Sequence, residues 1–452
     1  MKKISIREAA IACGGEVKNL RDDGDIRGAA IDSRKILEGD MFVAIKGENT
    51  DGHKYISQAE DMGCSCVLMD NIAYLSDAKG PVILVEDTVT ALQEIAKAYR
   101  RMLDIKIIGV TGSVGKTSTS DMIKAVCDSR YRTVKTPGNY NNHIGLPLTI
   151  MSFDRDTQVG ILEMGMNNAG EIHKLADIAR PDIAVITNIG ISHIENLGSR
   201  GDIFKAKMEI TDFFNQDSVL IVDGEDDFLK YISGKDYRVV KVGGEHIYRY
   251  ENPAVLGENG ISFDYVYGDK TTKVDMGVVG LHNAKNASLA LTAGLAIGID
   301  PEEAKLNLRA ARLTGNRLMI KTAGDIKVID DTYNASPASM FAAIDVLMQI
   351  EGGRKVAILG DMFELGKSAK DAHRGVGEYA KEKGVDQVIC IGSHAWDIYK
   401  GVGKDGVYFK TKEDLYIAFD QLIRPGDVVL VKGSNGMHMD RIVKRIVDGN
   451  DD

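Results

Sequence analysis

Residues 105–129 run without interruption from a buried-strand pattern, IKIIGVTG, through a glycine turn, GSVGKT, into a helical pattern with Met122, Ile123 and Val126 on one side. Strand, glycine loop and helix in that order form the arrangement that binds phosphate, and they commit the surrounding chain to a parallel sheet covered by helices. Glycines at 112 and 115 let backbone N–H groups turn toward phosphate oxygens, and the start of the helix adds a positive end. Lys116 is placed to neutralise β and γ phosphates, and the Thr117 hydroxyl to ligate magnesium. Val110 stands where the strict G-x-x-x-x-G-K-[ST] pattern has its first glycine, so the working loop is Gly112, Ser113, Val114, Gly115, Lys116, Thr117 and Ser118.

Three more apolar runs follow, VGILEM (159–164), DIAVITN (182–188) and SVLIVD (218–223), and their alternation with helical segments predicts a mostly parallel sheet. Residues 240–279, rich in Val, Tyr, Gly and Lys, read as β-hairpin material added to it. A helix over 283–298 is closed by Asp300-Pro301. Upstream, residues 1–103 read as short strands and helices ending in a helix over 89–103. From about residue 316 the parallel pattern restarts with IKVIDD, KVAILGD, QVICIG and DVVLVKG, and Thr411 and Asp414 open a further helix with capping-box spacing. The expected fold is α/β in three domains, 1–103, 104–314 and 315–452, which suits 452 residues at roughly 150 per domain.

A formal charge of -10 argues against a partner that offers a long phosphate backbone, which calls for clustered Lys and Arg. Five scattered cysteines suit reduced thiols, and Cys64 and Cys66 lie in the strand pattern CSCVLM, which reads as core before it reads as a metal site. Charged residues break up the N-terminal stretch before a signal-like apolar run can form, and no run approaches the roughly 18 apolar residues of a membrane span. A cytoplasmic monomer working on small molecules, with no nucleic acid and no membrane, is expected.

Other residues have two readings each. Glu163 ends its strand at the edge where parallel sheets gather ligands, and there it either holds magnesium or caps the glycine turn after Met164. His193, in TNIGISHIENLGS, is either a metal ligand or a solvated loop residue. Lys207, on a helix soon after, would ordinarily be a surface charge. Asn139 and Asn142, in GNYNNHIGLP, either donate to phosphate or carboxylate oxygens or serve as turn residues.

Together and in this order, these pieces resemble the Mur ligase family of cell-wall amide synthetases, over nearly the whole chain. DDTYNASPASM (330–340), LGDMFELG (359–366) and VKGSNGM (431–437) resemble the family member that adds D-alanyl-D-alanine, and sister ligases carry other sequences where DDTYNASP stands. The segment KGSNGM departs from the expected second basic or small residue after the serine, which leaves Asn435 without a role. The resemblance implies a UDP-binding first domain, a central ATPase domain and a Rossmann-like last domain. It implies ATP and Mg2+, with UDP-N-acetylmuramoyl-tripeptide and D-alanyl-D-alanine as substrates. It places catalytic and metal roles on Lys116, Thr117, Glu163, His193 and Lys207, the last as a CO2-derived carbamate. It places nucleotide contacts on Asn139, Asn283, Asn286, Arg317, Asp331 and Asn334, and the UDP contact on Ser33 and Arg34, with Asp51 and His53 as weaker candidates. The rival expectations are another ligase of this kind or a folate polyglutamate ligase, each adding a single amino acid, and a nucleotide-dependent switch protein.

Overall fold

The structure, a computed structural model, describes residues 3–449, so the outermost positions of the first and last expected domains lie outside the described residues. Apolar runs and glycine turns have sorted the described residues into three main sheets, one small and two large, beside a two-stranded pair of Ile4–Ser5 with Asp25–Ile26. The first sheet places Met41–Val43, Cys66–Met69 and Val82–Leu84 side by side in parallel, with Ala29–Ala30 at one edge and Glu16–Lys18, antiparallel, at the other. All five cysteines are free thiols, and Cys66 lies in the core of this sheet.

The central sheet has nine strands. Lys106–Thr111 lies between Val159–Glu163 and Ile183–Ile186, with Thr133–Lys135 beyond the first and Val219–Asp223 beyond the second. The chain leaves Lys106–Thr111 toward one edge and later returns to its other flank. That reversal opens a crevice at the carboxyl ends of the strands, where such sheets bind ligands. Strand register puts Val110 opposite both Glu163 and Val185, so the glycine loop emerges level with Glu163. The expected hairpins need one correction: Val240–Val242 belong to a parallel strand, Arg238–Val242, that extends the sheet, and the antiparallel meander begins only at Tyr248. Short alternation looks the same in both settings, which is why composition misassigned these residues.

The last sheet holds Ile326–Asp331, Val428–Lys432, Lys355–Gly360 and Gln387–Ile391 in parallel, as the four apolar runs predict. Two edge strands were not legible. Met319–Ala323 is antiparallel, and Gly406–Phe409 is half-exposed and so lacks an apolar signature. Thr411 and Asp414 do form a capping box at the start of Lys412–Leu422. No helix of the described residues is long and apolar enough to cross a membrane.

The helix Thr88–Arg101 ties the first unit to the second. Leu92, Ile95, Ala96 and Tyr99 share one apolar core with Leu146, Leu162, Ile186 and Leu220 of the central unit. Tyr99 donates to the Phe153 carbonyl at 2.8 Å, Arg100 donates to the Ala179 carbonyl at 2.9 Å, and Lys97 pairs with Asp177. The last unit has cores of its own on the two faces of its sheet.

In that last unit the loop after Lys355–Gly360 is fixed by a buried histidine. His373 Nδ1 donates to the Ala369 carbonyl at 2.6 Å and Nε2 accepts from the Met362 N–H at 2.8 Å, an arrangement that only a neutral imidazole can make. Burial lowers its pKa, His394 adds to that, and the Ala369 carbonyl, Asp361 and Asp397 pull the other way. An unfolded imidazole takes up its proton near about 6.5 and the folded one only at lower pH. The folded state therefore binds fewer protons in that window, and stability is lost as pH falls through it. Thermal unfolding followed between pH 7 and pH 5 is expected to show a steeper loss in the wild type than in His373→Gln, whose amide does not titrate.

Candidate active site

Local backbone demands build the loop first. Gly115, with φ at 86°, is the left-handed residue that lets the helix Lys116–Cys127 begin directly after the turn. Gly112 has φ at 150°, and a Cβ there would stand 1.8 Å from Thr187 Oγ1. That hydroxyl fills the space a side chain would take and donates to the Val114 carbonyl at 2.6 Å. Asn188 completes the brace: Oδ1 accepts from the Val114 N–H at 3.0 Å while Nδ2 donates to the Val114 carbonyl at 2.8 Å. The Ser113 hydroxyl accepts from the Gly190 N–H at 2.8 Å. Sequence reasoning missed Thr187 and Asn188, although their position just past a parallel strand beside the loop was the available signal.

Lys116 folds back to donate to the Gly112 carbonyl at 2.7 Å, and burial lowers its pKa. The Thr117 hydroxyl donates to Glu163 Oε2 at 2.9 Å and receives an N–H from Arg317 Nη2 at 3.0 Å. Glu163 is 1% exposed, and its other oxygen, Oε1, is buried without a hydrogen-bond partner. Burial raises its pKa, against the opposing pull of the Thr117 hydroxyl, Lys135, Lys116 and Arg317. An acidic oxygen left open inside a ring of donors is a vacancy that suits a cation.

Lys207 is 1% exposed, so the surface-charge reading does not hold for it. Burial, then the charge of Lys116, drives its pKa well below the ordinary lysine value. His193 adopts φ of 63° and brings Nδ1 to 2.6 Å from Glu364 Oε2, at ion-pair distance but out of line for a hydrogen bond. Glu364, itself at φ 63°, belongs to the last unit, so this contact spans two units. Among the described residues no three His, Cys, Asp or Glu side chains converge into a preformed metal cage. A cation here would rely on the Thr117 and Glu163 oxygens, on His193, and on whatever Lys207 becomes.

Asn286 lies against the loop, its Oδ1 3.1 Å from where a Gly115 Cβ would be, and its Nδ2 donates to Asn283 Oδ1 at 2.9 Å. Asn283 is wholly buried and donates to the Val279 carbonyl at 2.8 Å, so it supports Asn286 and does not face the crevice. Arg317 comes from the junction with the last unit, its guanidinium 3.7 Å from the Tyr333 ring centre. Asp331 is held by the buried Lys432 at 2.6 Å, and the same amine donates to the Asn334 carbonyl at 2.8 Å. The Asn142 carboxamide accepts from the N–H groups of Ile144 and Gly145 at 3.1 and 2.9 Å, which is the turn reading. Asn139 contributes its carbonyl, which accepts from the Asn141 N–H at 2.8 Å.

The first-unit candidates sit apart from this cluster. Ser33 donates to Gln58 Oε1 at 2.8 Å, and the exposed Arg34 folds onto Asp32 at 2.8 and 2.9 Å. His53, buried, lies between Asp51 at 2.7 Å and Asp70 at 3.1 Å and stacks on Tyr74.

Comparison with known families and structures agrees with this layout from end to end. Residues 25–100 match the Mur ligase family catalytic domain, 110–294 the Mur ligase middle domain, and 316–435 the Mur ligase glutamate ligase domain. The UDP-N-acetylmuramoyl-tripeptide--D-alanyl-D-alanine ligase of Bacillus subtilis (strain 168) is 41% identical over 456 residues, covering 99% of each chain. A crystal structure of MurF from Acinetobacter baumannii superposes with a TM-score of 0.90 at 29% identity, over 99% of both chains. The MurF ligase of Thermotoga maritima, solved in complex with ADP, gives a TM-score of 0.81 at 28% identity over 93% of this chain and 97% of that one.

The Gly112 and Thr187 geometry yields a test that needs no substrate. Gly112→Ala forces its methyl group into the Thr187 hydroxyl and is expected to cost on the order of 1–3 kcal/mol. Adding Thr187→Ser, which keeps the hydroxyl, should not relieve that cost, whereas Thr187→Gly should recover part of it. Urea denaturation of the three proteins reads the difference.

Proposed function

The chain belongs to the Mur ligase family, and from that membership we propose that it joins D-alanyl-D-alanine to UDP-N-acetylmuramoyl-tripeptide, with ATP converted to ADP and phosphate. The observation that carries this reading is the end-to-end agreement with a relative named for that reaction. Motifs 330–340, 359–366 and 431–437 of the last unit support the choice within the family. A ligase adding a single amino acid is the alternative to be tested against.

A carboxylate is too weak an electrophile to meet an amine directly. Its attack on the γ-phosphate of ATP gives an acyl phosphate and ADP. The amine of the dipeptide then attacks the acyl carbon, and phosphate leaves. Protein groups contribute position and charge: Lys116 and Arg317 offset the negative charge of the transferring phosphoryl group, and the braced loop keeps its N–H groups aimed without reorganisation. Asn286, backed by Asn283, faces the nucleotide beside Gly115, while Asn139, Asp331 and Asn334 approach it from the neighbouring loop and the last unit. Water would hydrolyse the acyl phosphate, which favours closure of the last unit over the crevice. Ser33 and Arg34, in the first unit, take the uridine diphosphate end of the acceptor, for which Arg34 exchanges its local partner Asp32.

The donor set suits magnesium. Thr117 and Glu163 offer a hydroxyl and a carboxylate whose Oε1 is otherwise unsatisfied, and hard cations prefer such oxygens. His193 and Lys207 would hold a second ion. Magnesium bound there supplies positive charge to the phosphoryl oxygens. Lys207 is suited to its part because burial lowers the pKa of its amine, which favours the neutral, nucleophilic form. The amine adds to the carbon of CO2 and loses a proton, leaving a carbamate anion that offsets the charge of Lys116.

Two assays test this reading. Turnover of UDP-muramoyl peptides with a panel of amine acceptors is expected to require D-alanyl-D-alanine, single amino acids giving less than about a hundredth of the rate, and Lys116→Ala should abolish it. Efficient use of a single amino acid would sink the assignment. Lys207→Ala should lose at least about a hundredfold in rate and recover part of it on addition of short carboxylic acids that fill the carbamate's place. A folded Lys207→Ala protein that no acid rescues would remove the carbamate from the mechanism.

A further inference from the structure

The linker into the last unit is pinned to the phosphate-loop helix by Asp121, a residue that has no part in the chemistry above. Asp121 lies one turn after Thr117 on the helix Lys116–Cys127, so the two side chains share a face. Its carboxylate is 4% exposed and paired with Lys135. Oδ2 accepts from the Thr314 backbone N–H at 2.7 Å, and the Thr314 hydroxyl lies 3.0 and 3.2 Å from the two carboxylate oxygens. The Thr314 carbonyl accepts from Arg317 Nη1 at 2.6 Å, and Arg317 Nη2 donates to the Thr117 hydroxyl at 3.0 Å. Contacts therefore close a ring: two members on the helix, Thr117 and Asp121, and two on the linker, Thr314 and Arg317.

That ring answers a physical problem. A long arginine side chain gives up rotamer entropy when ordered, and here it stands on a linker that turns at Gly315, with φ at 76°, and at Leu318, with φ at 51°. Stacking on Tyr333 holds the guanidinium from the side of the last unit, and a second hold from the phosphate-loop helix is needed to aim it at a phosphate. Anchoring Thr314 by its N–H, its hydroxyl and its carbonyl fixes the backbone three residues before the guanidinium. We propose that Asp121 is a positioning residue for the nucleotide step: it clamps Thr314 to the phosphate-loop helix, holds Arg317 over the loop, and gives the last unit a fixed point about which to move. The proposal rests on the reading that Arg317 reaches bound ATP.

A merely structural role predicts a different result in a double-mutant cycle. Affinity for a nonhydrolysable ATP analogue would be measured by calorimetry on full-length Asp121→Asn, Thr314→Val and Arg317→Ala proteins and on the two doubles that include Arg317→Ala. Turnover would report KM for ATP and for the sugar nucleotide separately. Asp121→Asn is expected to weaken analogue binding about tenfold and Thr314→Val about threefold, each by less than about twofold once Arg317 is already alanine. KM for ATP should rise while KM for the sugar nucleotide stays within about twofold. Thr314→Val leaves the Asp121 and Lys135 pair in place, so it decides the matter if Asp121→Asn lowers the thermal midpoint. Penalties that add independently of Arg317, or analogue binding unchanged in both single variants, would overturn the clamp. Wild-type protein that binds no analogue would overturn the nucleotide reading and the clamp with it.

Discussion

The buried carboxylate of Glu163 is what allows Lys116, Lys135 and Arg317 to gather at one end of the central sheet. Without an anion among them these cations would repel one another in surroundings that screen poorly. With it, each has a reason to point inward, and the Thr117 hydroxyl links the carboxylate to the arginine. Lys207 meets the same difficulty differently, since burial and the neighbouring Lys116 lower its pKa well below the ordinary lysine value. The pocket thus sets its basic side chains against two buried acids, Glu163 and, through Lys135, Asp121.

Position follows from topology. Because Val110 stands opposite both Glu163 and Val185, the glycine loop, the acidic strand end and the Thr187-Asn188 brace come to the same level without any long-range adjustment. The residues farther along the chain arrive on neighbouring loops of the same edge. His193 follows the strand that carries the brace, and Lys207 sits on the next long helix, Arg200–Met208.

Much of this was legible in the chain. The loop, the buried strands and the capping box at Thr411 depend on nearest-neighbour patterns, and they formed where those patterns fell. What was not legible depends on partners distant in sequence. The strand Gly406–Phe409 is half-exposed and took its place by pairing with Gln387–Ile391, and Val240–Val242 pair in parallel because Val219–Asp223 offers an edge. At the site, no spacing rule announces that Thr187 fills the hollow over Gly112, or that Asp121 holds Thr314 across 193 residues. The burial of Lys207 was invisible for the same reason: an amphipathic helix leaves a lysine in or out of water according to what packs over it, and only the resemblance pointed inward.

Through the shared core along Thr88–Arg101 the first unit packs directly on the central one. On the proposed reading the uridine end of the acceptor sits on the first of these units and its carboxylate meets the phosphate loop of the second, so the packing between them sets the span the acceptor must cover. Each amino acid in an extended peptide covers about 3.3–3.6 Å, so a stem one residue short leaves its carboxylate that far from the γ-phosphate, and one residue too many overshoots by as much. On that reading the helix that joins the first two units, Thr88–Arg101, would set the stem length the site accepts.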